Sequence, residues 1–149
     1  GVLGALEVDV NFHVNILTGS SGKMLGGLGG GPDVAAGAAI SIVALPIIRG
    51  RTPSIVKRVM TVCEPGETIA VVVTEAGIAL NPNHRNYQEL KEDLQRTGIE
   101  TVTIEELQRI AEQLTGKPEQ IRTTDKIVGI IEYRDGTVLD VLHQVLHED

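Results

Sequence analysis

Aromatic side chains are almost absent: one Phe, two Tyr and no Trp make up 2% of 149 residues. A core without rings is built from Val, Ile, Leu and Ala. Because β-branched residues favour strands while Ala and Leu favour helices, this composition points to an α/β domain. Cysteine is equally scarce. Cys63 stands alone, which excludes an internal disulfide and a cysteine metal motif, and fits a reducing, cytoplasmic setting. Long apolar runs are missing too. The most apolar stretch, Ala38 to Ile48, contains Ser41 and Pro46 and falls well short of the about 20 residues that cross a bilayer. It reads as a buried strand, with no membrane role. Positive charge is outnumbered, 13 Lys and Arg against 20 Asp and Glu for a formal charge of −7. That balance argues against nucleic acid, whose binding depends on phosphate neutralisation.

What is present is ordinary for a soluble globular chain: 42% hydrophobic and 22% charged residues, in a length that suits one domain with a true core. No basic and apolar secretory pattern opens the sequence. It starts on Gly1 with strand-like residues, so it is expected to belong to a longer protein.

Along the chain, Val2–Val10 and Val14–Leu17 read as strands. Thr18–Gly31 is a loop of small residues in which Gly26, Gly27, Gly29, Gly30 and Gly31 crowd together, a run unsuited to regular structure. Pro32 suits the first turn of a helix through Gly37, with Gly31 as its cap. Ile40–Leu45 and Ile69–Thr74 are β-branched runs expected to be buried on both faces, which implies a parallel sheet. Asn86–Thr97 carries Tyr87, Leu90 and Leu94 at helical spacing and closes on Gly98. Thr103 and Glu106 form a T-x-x-E capping box ahead of Leu107, Ile110, Ala111 and Leu114, and Gly116 and Pro118 stop that helix. Ile127–Tyr133 and Val138–Val145 flank Asp135-Gly136, a hairpin signal. The expected fold is therefore α/β, a mostly parallel sheet flanked by helices, ending in an antiparallel hairpin. No repeat or linker divides it, so 1–149 is expected to be one domain.

Backbone N–H groups in a glycine loop can approach a thioester, oxyanion or phosphate closely. The same glycines would also serve a tight turn. Two nucleotide motifs fail here: G-x-G-x-x-G from Gly27 meets Pro32 at its last glycine, and a phosphate-loop reading around Gly22-Lys23 meets Leu17 and Met24 at required positions. Arg49 and Arg51 follow a strand end, where a planar guanidinium grips carboxylates. Arg49 and Arg51 are equally compatible with a solvated surface, and for Lys57 and Arg58 the solvated reading comes first. Among the carboxylates Glu7, Asp9, Asp33 and Glu75, Asp33 is expected to favour its helix start; Glu7, in an otherwise apolar strand, is the least ordinary of the four, although alternation alone could turn it to solvent. His143 and His147 lie on a strand pattern, His13 and His84 are isolated, and Cys63 is expected to be a buried structural thiol. No metal site and no bound cofactor are expected.

The stretch GALEVDVNFHVNILTGSSGKMLGGLGGGPDVAAGAAISIVALPIIRGRTPSIV resembles the alpha subunit of citrate lyase. So do VTEAGIALNP, TIEELQRIAEQLTGKP and IIEYRDGTVLDVLHQV, in that family's order. The glycine loop followed by Asp33 is also similar to the G-x-G-G-x-x-D element in the second domain of family I CoA-transferases. The resemblance implies the C-terminal portion of the second of two CoA-transferase-like domains. It implies a transferase that converts acetyl-carrier plus citrate into citryl-carrier plus acetate, acting on the CoA-like phosphopantetheine group of an acyl carrier (gamma) protein beside a beta subunit, within an oligomer. Gly27, Gly29, Gly30 and Asp33 would then lie on the thioester side, with Arg49 and Arg51 on the citrate side. The nucleophilic glutamate of the glutamyl-thioester enzymes lies upstream of this stretch. The catalytic residue is thus unassigned, and the segment alone is expected to be inactive. The alternatives are another acyl-CoA transferase or hydrolase of the same fold, or a noncatalytic interaction module.

Overall fold

Parallel pairing on both edges sets the central strand, although only one of its faces is sealed: Val43 is buried, whereas Ile42 is half-buried and Ala44 exposed, against the expectation of burial on both faces. In a computed structural model that describes residues 1–146, Ile42–Ala44 (β4) runs parallel to Val2–Gly4 (β1) on one side and to Val71–Thr74 (β8) on the other. Gly77–Leu80 (β9) folds back antiparallel on β8, giving the order β1-β4-β8-β9. The runs IVA and VVVT have the β-branched content that a covered parallel sheet requires, and Val43 and Val72 are fully buried. The fold class is the α/β arrangement expected.

One expectation fails near the start. Val2–Val10 is not one strand, because Ala5 and Leu6 break it and Glu7–Asp9 (β2) joins a second sheet. There β2 pairs antiparallel with Val14–Asn15 (β3) and parallel with Ile55–Val56 (β7). Backbone partners dictate the switch: Leu6 N–H donates to Asn15 C=O at 3.0 Å and Val8 N–H to Ser54 C=O at 2.9 Å. Asp9 then ends the strand, its carboxylate accepting from the N–H groups of Asn11, His13 and Val59. The turn places Phe12 at φ 63° and delivers the lone Phe to the core.

The basic stretch is also more ordered than its prolines suggested. Ile48–Arg49 (β5) and Thr52–Pro53 (β6) form a small hairpin turning at Gly50, φ 63°. Pro53 is tolerated because a two-stranded edge demands few ladder bonds. Gly31–Gly37 (α1) starts from Gly30 rather than Gly31 as cap, with Pro32 in its first turn. Tyr87–Arg96 (α2) lies on the outer face of β8 and β9 through Tyr87, Leu90 and Leu94. Ile104–Thr115 (α3) has the expected capping box: Thr103 N–H donates to Glu106 Oε2 at 2.7 Å, and Glu106 N–H to Thr103 Oγ1 at 3.2 Å. It buries Ile104, Leu107 and Ala111 in the main core.

Thr123–Glu132 (β10) and Val138–Val145 (β11) make the expected terminal ribbon, turning at Asp135-Gly136. Ile131 anchors it in a small cluster with Leu17 and Cys63, and Asp140 accepts from Val62 N–H at 2.8 Å. No helix among the described residues is long and apolar enough to cross a membrane.

Candidate functional site

Asn15 organises the first half of the glycine loop. Its Oδ1 accepts from Leu17 N–H at 3.1 Å and Thr18 N–H at 3.0 Å, and its Nδ2 donates to Thr18 Oγ1 at 3.1 Å. Leu25 N–H and Gly26 N–H then return to Leu17 C=O at 2.8 and 3.1 Å. The glycines divide into two kinds. A Cβ on Gly26 would lie 2.3 Å from Ile16 C=O, and one on Gly31 would lie 2.5 Å from Glu64 Oε1, whereas Gly27, Gly29 and Gly30 have nothing within 4 Å. Gly26 is required by packing against backbone, whereas a Cβ at Gly31 would have to displace the Glu64 carboxylate. Gly29 is required by its φ of 52°. Gly27 and Gly30 answer to neither demand and face open space. Asp33 is exposed in the first turn of α1 and pairs with Arg134 of the ribbon at 3.7 Å.

Two buried carboxylates bracket this loop. Glu7, the least ordinary carboxylate of the sequence, is 5% exposed, so of its two readings the solvent-facing one fails. All three residues of β2 are buried, so both of its faces are covered, and Ser20 of the glycine loop meets the Glu7 carboxylate. Oε1 accepts from Ser20 N–H at 2.7 Å and from the Ser20 hydroxyl, while Oε2 is buried without a partner. Burial raises its pKa above the usual carboxylate range, opposed by the Ser20 donors and by the nearby Asn15 side chain. Glu7 and Ser20 line a recess of about 80 Å³ with Leu6, Gly19, Ser21, Leu25, Arg49, Thr52 and Pro53. The recess therefore joins the start of the glycine loop to the basic hairpin. Arg49 is exposed and donates through one Nη to Ala5 C=O at 3.1 Å. Arg51, in the hairpin turn, is exposed and outside the lining, as are Lys57 and Arg58.

Glu64 lies beneath the other end of the loop. It is fully buried, neither carboxylate oxygen has a hydrogen-bond partner, and burial pushes its pKa up to about 7. Nothing in V-C-E-P-G marks this Glu as internal. Its backbone shows why it is: N–H and C=O both pair with Val14 across a single bridge, and the side chain enters the space under Gly31.

The remaining candidates have structural partners. Glu75 accepts from Ile47 N–H at 2.9 Å. His13, expected to be isolated, contacts Asp9 at 3.3 Å, a partner that raises its pKa. His84 is buried and accepts from Asn86 N–H, and burial lowers its pKa. His143 contacts Thr124 C=O at 3.1 Å; His147 lies outside the described residues. Cys63 is buried, as expected, and burial raises its pKa. Among the described residues no three His, Cys, Asp or Glu side chains are grouped to hold a metal ion.

The family model described as citrate lyase, alpha subunit (CitF), matches residues 1–145. The chain belongs to the citrate lyase alpha subunit family. It is 48% identical over 148 residues to the citrate lyase alpha chain of Klebsiella pneumoniae, covering 99% of this chain and 28% of that one. It is also 48% identical over 144 residues to that of Escherichia coli K12, covering 97% and 28% respectively. A crystal structure described as the alpha subunit of citrate lyase from Streptococcus mutans, in complex with citrate, superposes with a TM-score of 0.92 at 48% identity, over 98% of this chain and 28% of that one. The chain thus spans 28% of the length of these alpha subunits.

Proposed function

We propose that this chain forms part of an acyl-exchanging citrate lyase alpha subunit. In that role a citrate carboxylate replaces acetate in the carrier thioester, giving citryl-carrier and free acetate. The observation that carries the reading is the family match across residues 1–145, and the citrate-bound relative from Streptococcus mutans supports the substrate. Gly27, Gly29, Gly30 and Asp33 form the thioester side. There the open backbone offers N–H groups to the oxygen that gains charge when the thioester carbonyl is attacked. Arg49 and Arg51 supply positive charge for a polycarboxylate. No residue of this chain is assigned as nucleophile. The partners are an acyl carrier protein with a CoA-like phosphopantetheine thiol and a beta subunit that cleaves the citryl thioester, in an oligomer in the cytoplasm.

The test uses an alpha subunit of the relatives' full length carrying this sequence, mixed with acetylated carrier protein and citrate. Mass spectrometry of the carrier should show the citryl form replacing the acetyl form as acetate is released. An acetyl-carrier left unchanged by citrate but exchanged with a monocarboxylate would reassign the chain to another acyl transferase of the same fold.

A further inference from the structure

From Gly26 to Gly31 the glycine loop carries a single side chain, Leu28. Among the described residues no acceptor meets the N–H groups of Gly27, Gly29 and Gly30, and nothing lies within 4 Å of a Cβ added at any of the three. Neither an N–H bond nor a packed neighbour fixes these glycines, although glycine has the most backbone freedom to restrain. What holds them is Leu28. Its side chain is half-buried and packs against the cluster of Leu17, Cys63 and Ile131, together with Leu139 and Leu142. Ile131, Leu139 and Leu142 belong to the terminal ribbon, which meets the loop at both ends as well. A Cβ on Gly22 would lie 2.7 Å from Val145 Cγ2, and Asp33, just past the loop, pairs with Arg134 at 3.7 Å. Leu28 C=O also accepts from Gly31 N–H at 3.3 Å, closing the turn that carries Gly29 and Gly30. Both partners of the ion pair are exposed, which makes it the weaker restraint; the apolar contact of Leu28 is the stronger.

We propose that Leu28 is a positioning residue for acyl exchange: seated in the ribbon's apolar cluster, it holds the N–H groups of Gly27, Gly29 and Gly30 where the thioester carbonyl oxygen gains charge on attack. The inference rests on the acyl-exchange reading above and deepens it, because it makes the buried face of the terminal ribbon the brace of the glycine loop. Donors to a developing oxyanion act in the transition state, so their misplacement lowers turnover and leaves substrate saturation alone. A displacement of about 1 Å is enough to cost on the order of 10²-fold in rate.

The experiment is steady-state kinetics of acyl exchange between acetylated carrier protein and citrate, with the full-length alpha subunit carrying Leu28→Met, Leu28→Val or Leu28→Ala. Met refills the space with a flexible apolar chain and should keep kcat within about threefold of the unaltered protein. Ala should lower kcat by about 10- to 100-fold and Val by less, with the KM for citrate and for the carrier steady within about threefold throughout. A merely structural role would move the melting temperature and leave kcat per folded molecule untouched. Leu139→Ala opens the same cluster from the ribbon side. Combined with Leu28→Ala it should therefore cost no more than about threefold beyond the larger single effect. Unchanged kcat in folded Leu28→Ala, a loss that falls on KM instead, or losses that multiply in the double variant would overturn the inference. If Leu28→Ala does not fold, Leu28→Val decides by the same criteria. An unaltered subunit that exchanges no acyl group overturns the proposed function and this inference with it, whereas an active subunit indifferent to the series overturns the inference alone.

Discussion

Glu7 and Glu64 are both buried carboxylates at the edges of one glycine loop, yet their surroundings differ in kind. Glu7 has one oxygen satisfied by the loop itself and opens on a recess, whereas Glu64 is sealed under Gly31 with both oxygens unpartnered. Burial raises both pKa values, but only Glu7 has donors that counteract it. A half-satisfied group with donors on one oxygen keeps part of its charge stabilised within the protein. A wholly unsatisfied group in a sealed space is arranged to remain neutral, because an uncharged carboxyl avoids most of the desolvation cost. The same residue type is thus partly satisfied at one end of the loop and wholly unsatisfied at the other.

The largest effect that would sharpen this contrast concerns the loop between the two carboxylates. Gly30→Ala in the full-length subunit should lower acyl-transfer turnover by about 10²–10³-fold if a backbone donor there faces the thioester. Its melting temperature should scarcely move, because no atom lies within 4 Å of the added Cβ. Unchanged turnover in steady-state kinetics would reduce the open glycines to a turn. The next effect belongs to Glu64. The unfolded chain releases this proton near the ordinary 4.5 and the folded chain retains it to about 7. Glu64 therefore contributes stability below pH 4.5 that is lost as pH rises to about 7, an order of about 3 kcal/mol. Glu64→Gln should flatten that part of the stability–pH curve in denaturant titrations, and an unchanged slope would show that Glu64 ionises freely. A smaller change is expected from Ser20→Ala: loss of a hydroxyl donor to the Glu7 carboxylate should destabilise by about 1.5–3 kcal/mol and raise the Glu7 pKa further, readable by isotope-edited NMR. The smallest concerns the two arginines. Arg51→Ala, at an exposed turn, should alter stability by no more than about 0.5 kcal/mol. It should also weaken citrate saturation less than Arg49→Ala does; the reverse order would move the anion contact out of the recess.

Features written in local sequence were legible. The capping box at Thr103 and Glu106, the Asp135-Gly136 turn and the β-branched runs of β4 and β8 depend on neighbours a few positions apart, and each lies where its pattern placed it. The burial of Glu7 was not legible, because alternation describes a strand with one wet face and β2 is covered on both. Its partners, Ser20 and the basic hairpin, lie 13 and more residues away. Glu64 left still less trace, since a Glu before Pro-Gly ordinarily faces water and only the bridge to Val14 directs it inward. The His13–Asp9 pair did leave a signal, a spacing of four across a turn.

The tethering of the glycine loop by Asn15 bears on how a ligand would be received. Glycine segments are usually the most mobile parts of a chain, and ordering one on binding costs about 1–2 kcal/mol per residue. Here Leu17, Thr18, Leu25 and Gly26 already have their backbone N–H groups engaged within the protein. The disorder that glycine would bring is removed at folding, before any encounter. The open stretch from Gly27 to Gly30 thus starts from a fixed end at Gly26, which shortens the segment left to be ordered by any contact made there.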